Sequence, residues 1–121
     1  MLNSRMALRV SFYAELSGKE PVKEWLSDLE KKDRKIIGED IKRVQFGWPL
    51  GMPLVKPLGK KLWEVRSTLN TRIARVIFTV YFGHMILLHG FIKKTQKTPP
   101  GDLELARKRE QKLDRSLYEK E

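Results

Sequence analysis

Three runs rich in Val, Ile, Phe and Tyr, at 62–68, 72–82 and 85–94, stand close together in the second half of this chain, joined by Leu69-Asn70-Thr71 and Gly83-His84. β-branched and aromatic side chains fit a pleated, half-buried surface, and connectors this short join antiparallel neighbours. The segment predicts a three-stranded antiparallel meander. Flanking patterns supply the rest. Residues 9–13 (Arg-Val-Ser-Phe-Tyr) alternate polar and apolar and predict a first strand. Pro21 suits a first helical turn, and Val22, Trp25, Leu26 and Leu29 recur at i, i+3, i+4 and i+7, which predicts an amphipathic helix.

Asp33 reads as the N-cap of a second helix whose Ile37, Ile41 and Val44 share a face before Gly47, Trp48 and Pro49 stop it. Between Gly47 and Gly59, Pro49, Gly51, Pro53 and Pro57 leave a loop with at most a short edge strand. Thr98-Pro99-Pro100-Gly101 ends the meander, and Asp102 caps a last helix carrying Leu103, Ala106, Leu113 and Leu117 on one side. The order βααβββα gives an α+β fold with an antiparallel sheet, helices on one face and part of the other. Its length of 121 residues predicts one domain, 1–121, with the end frayed from about residue 115.

A chain that is 40% hydrophobic and 33% charged is too apolar for a disordered tail and too charged for a membrane protein. The N-terminus lacks the apolar core of a signal peptide, and no apolar stretch approaches the roughly 20 residues that span a bilayer, so a cytoplasmic location is expected. Cysteine is absent, which excludes a disulfide framework, a cysteine-based zinc site and a thiol nucleophile. Two histidines are too few for most all-nitrogen metal sites, so neither a metal nor another cofactor is expected.

Net charge is +10, and its distribution matters more than its size. Between Lys56 and Lys97 lie nine basic residues, Lys56, Lys60, Lys61, Arg66, Arg72, Arg75, Lys93, Lys94 and Lys97, against the single acid Glu64, so +8 of the charge belongs to the meander. Nothing in folding requires so many cations with one carboxylate, and a polyanion such as RNA, DNA or an acidic protein is the natural partner. Strand alternation places Trp63 and Val65, then Val76, Phe78, Val80 and Phe82, then Ile86, Leu88 and Ile92 on one oily face. The reverse face gathers Glu64, Arg66, Arg75, His89, Phe91 and Lys93 if the register aligns them. Taken singly, each charged residue is an ordinary solvated side chain, His84 falls in a turn, and Trp25, Trp48 and Trp63 read as core anchors.

Cleavage of RNA by its own 2′-hydroxyl needs a group to take that proton, cations to stabilise the crowded phosphorane, and an acid for the departing 5′-oxygen. Glu64 or His89 suits proton transfer, and Arg66, Arg75, Lys93 and Lys94 suit charge stabilisation. Two-metal hydrolysis needs clustered carboxylates, and the region offers one. No P-loop, GxSxG or HExxH pattern is present.

Leu62-Trp63-Glu64-Val65-Arg66, Thr71-Arg72-Ile73-Ala74-Arg75-Val76-Ile77-Phe78 and the run from Leu87 through Lys93-Lys94-Thr95-Gln96-Lys97-Thr98-Pro99, followed by a basic helix beginning Leu103-Glu104-Leu105-Ala106, closely resemble the HigB-like, phage-derived branch of the RelE/ParE toxin superfamily. The resemblance runs from the first strand to about Leu117. It implies a small RelE-like fold and the toxin of a type II toxin–antitoxin pair that cuts mRNA on the translating ribosome without a metal and is neutralised by a helix-turn-helix antitoxin. It places Arg75 at the strand arginine that contacts phosphate, Arg66 and Glu64 beside it, and Lys93 and Lys94 in a basic segment after the last strand; Lys56, Lys60, Lys61, Arg72 and Lys97 are the further RNA- and ribosome-binding candidates. Pro99 and Pro100 stand near where RelE proper has a tyrosine, so no tyrosine base is visible. Two other readings stay open: a ParE-like gyrase poison, and a non-catalytic nucleic-acid-binding phage accessory protein.

Overall fold

A computed structural model describes residues 7–93 and 98–119. In chain order it contains β1 (Arg9–Phe12), α1 (Pro21–Ser27), α2 (Lys31–Gly47), β2 (Val55–Gly59), β3 (Leu62–Thr68), β4 (Ile73–Tyr81), β5 (His84–Lys93) and α3 (Pro100–Gln111), followed by a 3-10 turn at Arg115–Leu117. The fold is α+β, as expected. One five-stranded sheet has the order β1-β5-β4-β3-β2. β2 to β5 pair antiparallel, whereas β1 runs parallel to β5, with Arg9 opposite His84 and Phe12 opposite Leu87. Everything between these two strands serves as the long crossover that a parallel pairing needs.

Helices pack on both faces of the sheet, α1 and α2 on one and α3 on part of the other. Ile37, Ile41 and Val44 of α2 and Val22 of α1 pack on Val65, Ala74, Val76, Phe78, Met85 and Leu87. Trp48, Trp63 and Phe78 meet there, with Trp48 edge-on to the other two. On the opposite face Ala106 of α3, with Leu103 and Leu113, covers Leu62, Ile77, Ile86 and Leu88. α3 reaches only part of that face, and the remainder carries the charged side chains.

A bulge in β5 corrects the predicted alternation. Ile77 pairs with His89 but Phe78 pairs with Leu87, which leaves Leu88 as an extra residue. A bulge inserts one residue and re-aims the side chains beyond it. Ile86 and Leu88 therefore lie under α3, while Ile92 packs on the α1–α2 side, so the row Ile86, Leu88, Ile92 is split between the faces. Phe82 leaves the oily row as well: it is exposed, with φ 47°, in the two-residue Phe82-Gly83 hairpin turn. His84 is the first residue of β5, not a turn residue; its Nδ1 lies 3.1 Å from Ser11 Oγ and its ring packs edge-on to Tyr118.

The helix starts also differ. α2 begins at Lys31, so Asp33 sits inside the first turn, where it is buried and accepts from Arg72 Nη2. α3 begins at Pro100, and Asp102 lies in its first turn with a partner outside the helix. Near the C-terminus, where the sequence predicts fraying, Asp114 caps the 3-10 turn through Ser116 N, Arg115 pairs with Glu110 and covers the Tyr81 ring, and Tyr118 packs on His84. Residues 120 and 121 lie outside the described residues.

Candidate active site

Four strands deliver the charged side chains to the part of the sheet face that lies beyond α3. Register sets the arrangement: Lys56 on β2 lies opposite Glu64 on β3, Arg66 opposite Arg75 on β4, and Arg75 opposite Phe91 on β5. Directly opposed residues share a face, and His89, Phe91 and Lys93 share it at alternate positions along β5. The alignment that the sequence permits is thus present for Glu64, Arg66, Arg75, His89, Phe91 and Lys93.

Burial divides this group. Glu64 and Arg75 are 0% and 1% exposed and form an ion pair, Arg75 Nη1 donating to Glu64 Oε1 at 2.6 Å. Thr98 Oγ1 donates to the other carboxylate oxygen, Oε2, at 2.9 Å. Glu64 therefore has both oxygens engaged. Lys93 is 5% exposed, and its Nζ, like Arg75 Nε, has no hydrogen-bond partner among the described residues. Burial holds the Lys93 amine below the ordinary lysine range; Arg75, Lys56 and Arg66 push it in the same direction, against the pull of Glu64. The half-buried members are Lys56, Arg66, His89 and Phe91.

His89 has a specific partner. Its Nε2 lies 2.6 Å from Asp102 Oδ1, and its ring stacks on Phe91 with centroids 5.4 Å apart. A carboxylate is an acceptor, so Nε2 carries the proton it donates, and in the neutral ring the lone pair is on Nδ1. The first turn of α3 thereby fixes the orientation of a titratable side chain at the edge of the cation cluster. Asp102 reads from sequence as a helix cap; no local signal ties it to a residue 13 positions earlier on another element. Thr98 likewise carries no sequence signal for its bond to Glu64.

Other candidates lie elsewhere. Arg72 turns toward α2 and pairs with Asp33. Lys60 and Lys61 form the exposed β2–β3 hairpin tip, both with positive φ, at the opposite end of the strands from Lys93. Lys94 and Lys97 lie outside the described residues. Among the described residues no three His, Cys, Asp or Glu side chains stand together as a metal site, and no helix is long and apolar enough to cross a membrane.

The family model described as phage derived protein Gp49-like (DUF891) matches residues 24–111. The chain belongs to the Gp49-like family. No curated protein matches it. The matched stretch of this phage-derived, toxin-like family runs from within α1 to the end of α3, so it contains every residue of the cluster from Lys56 to Lys93, together with Thr98 and Asp102. The Gp49-like match thus covers both the scaffold and the surface it exposes.

Proposed function

We propose that this Gp49-like protein is the toxin of a type II toxin–antitoxin pair, of the HigB-like kind, and acts as a ribosome-dependent, metal-independent mRNA endoribonuclease. The observation that carries this reading is the cluster of Lys56, Arg66, Arg75 and Lys93 around one already-paired carboxylate, with an oriented histidine at its edge. Phosphodiester cleavage asks for this combination: cations for the negative charge that develops on the phosphorane, and a side chain able to take the 2′-hydroxyl proton.

The geometry favours His89 over Glu64 for that proton. Both oxygens of Glu64 accept hydrogen bonds and the side chain is fully buried, whereas His89 is half-buried with Nδ1 outside its Asp102 contact. In the proposed step Nδ1 takes the 2′-hydroxyl proton, the 2′-oxygen attacks phosphorus, and the bond to the 5′-oxygen breaks as that oxygen takes a proton from water, leaving a 2′,3′-cyclic phosphate and a 5′-hydroxyl, while the proton on His89 returns to solvent. Arg66 and Lys56 contact the phosphate from solvent, and Arg75 holds Glu64 while adding positive potential beneath them. The partner is a helix-turn-helix antitoxin, whose acidic or amphipathic segment covers the cationic face and excludes RNA.

Inducing wild-type protein and the Arg66→Ala and His89→Ala variants in bacteria tests the reading. The wild type is expected to arrest growth and leave mRNA cut within codons, with cutting by purified protein on translating ribosomes persisting in EDTA; each variant loses at least about 100-fold in cutting while folding normally. Growth arrest with intact mRNA and damaged DNA would replace it with the gyrase-poison reading. Salt-sensitive RNA binding without growth arrest would leave a non-catalytic binding protein.

A further inference from the structure

Arg66 belongs to two places at once. Besides facing the cation cluster, it lines a groove of about 960 Å³ that also takes in α2, residues 53–54 and the adjoining ends of β3 and β4. Ile36 and Ile73 line this groove, and so does Phe46, which is 61% exposed although the buried stripe of α2 is already filled by Ile37, Ile41 and Val44. Met52, 57% exposed, touches the Arg66 guanidinium through its sulfur at 3.9 Å. Folding does not need a phenyl ring and a thioether left in water beside a planar cation, and such patches mark binding surfaces.

Glu39 narrows the ligand. It is exposed and lines the groove together with Lys42 and Arg43, and it forms no ion pair among the described residues, whereas its neighbour Asp40 pairs with Arg43 at 3.7 Å. An unpaired carboxylate repels phosphate, so beside a phosphate-binding cluster it suits a different part of a nucleotide: the N–H edge of a base.

We propose that the groove is a nucleobase subsite with preference for guanine, an inference that rests on the cluster being an RNA-binding surface. A phosphate on Lys56 and Arg66 directs the adjoining base into the groove, where it stacks on Phe46 and the Arg66 guanidinium. Glu39 accepts from its edge. Guanine offers N1–H and the N2 amino group side by side and so engages both carboxylate oxygens; adenine and cytosine offer one amino group. Uracil offers a single N–H flanked by carbonyls that repel the carboxylate.

Binding of short 2′-O-methyl RNAs, which cannot be cut, tests this with G, A, C or U placed at each position in turn. Wild-type protein is expected to bind the best G-containing RNA at least about tenfold more tightly than its U counterpart. Glu39→Gln should reduce that ratio to about twofold, with the G-containing RNA bound more weakly and its U counterpart bound as tightly or more tightly, and Phe46→Ala should weaken all four RNAs about tenfold, as loss of one stacked base does. Both residues are exposed, and circular dichroism verifies that the variants fold. Equal affinity for all four bases, or an unchanged Phe46→Ala variant, overturns the subsite, as does finding the groove filled by the antitoxin while RNA binding is unaffected by either substitution. Because the probe is uncleavable, absence of mRNA cutting by the wild type would overturn the nuclease reading and leave the binding result standing by itself.

Discussion

Glu64 and Arg75 form an ion pair that neither member shares with solvent, and this changes what a mutation at Arg75 reports. Removing one partner of a buried pair leaves the other charge uncompensated. Arg75→Ala is therefore expected to cost about 3–5 kcal/mol of stability, measurable by urea unfolding, so its loss of activity would mix fold damage with function. Arg66→Ala, at a half-buried position on the same face, should stay within about 0.5 kcal/mol of wild type and is the cleaner probe. Lys93 behaves in the opposite sense. Its buried ammonium has no partner among the described residues, so Lys93→Met is expected to raise stability by about 1–3 kcal/mol at neutral pH. Because the folded-state pKa lies below the unfolded one, the unfolded chain binds more protons between the two values, and wild-type stability rises with pH there. The gap between Lys93→Met and wild type should accordingly shrink as pH climbs toward the ordinary lysine range; a gap independent of pH would contradict the assignment of that charge to Lys93.

Within the elements, β5 shows how one position governs packing on both faces. Its bulge at Leu88 lets consecutive residues Leu88 and His89 turn to the same side, the first under α3 and the second toward Asp102. Two positions on, Gly90 makes room for α1: a Cβ there would come within 2.4 Å of Trp25 Cε3. The indole has to give up its packing on β5 to make room, so Gly90→Ala is expected to destabilise by about 1–3 kcal/mol, read as a lowered Tm. The strands, the edge position of β2 and the three helices were legible from periodicity and breakers. The bulge was not, because Ile86, Leu88 and Ile92 also fit an unbroken alternation. Helix starts shifted for a related reason. Asp33 and Asp102 are good caps by residue type, but in the fold their carboxylates meet Arg72 and His89, stronger partners that only tertiary contact provides.

Across the molecule, the +8 carried by residues 56–97 is not one surface. Lys56, Arg66, Arg75 and Lys93 share one end of the sheet, Arg72 is spent on Asp33, and Lys60 and Lys61 stand about 16–20 Å along β3 from Arg66, beyond the screening length at physiological salt. RNA affinity is expected to fall steeply with salt. Replacing both Lys56 and Arg66 by Ala should flatten the slope of log affinity against log salt by about 1.4, whereas replacing Lys60 and Lys61 should change it by less than half as much for a short RNA. Fluorescence titrations at several salt concentrations distinguish the two.

The sequence by itself determined the α+β architecture, the meander and the confinement of the excess charge to it, because hydrophobic period and turn residues act locally and charge can be counted along a chain. It also named Glu64 and His89 as the two proton-transfer candidates. Only the tertiary structure decided between their environments: a cross-strand arginine and Thr98 occupy both oxygens of Glu64, while α3 orients His89 through Asp102. Which ionisable group is buried and spent, and which stays open to a ligand, depends on partners brought together from distant parts of the chain, and spacing along one strand does not encode them.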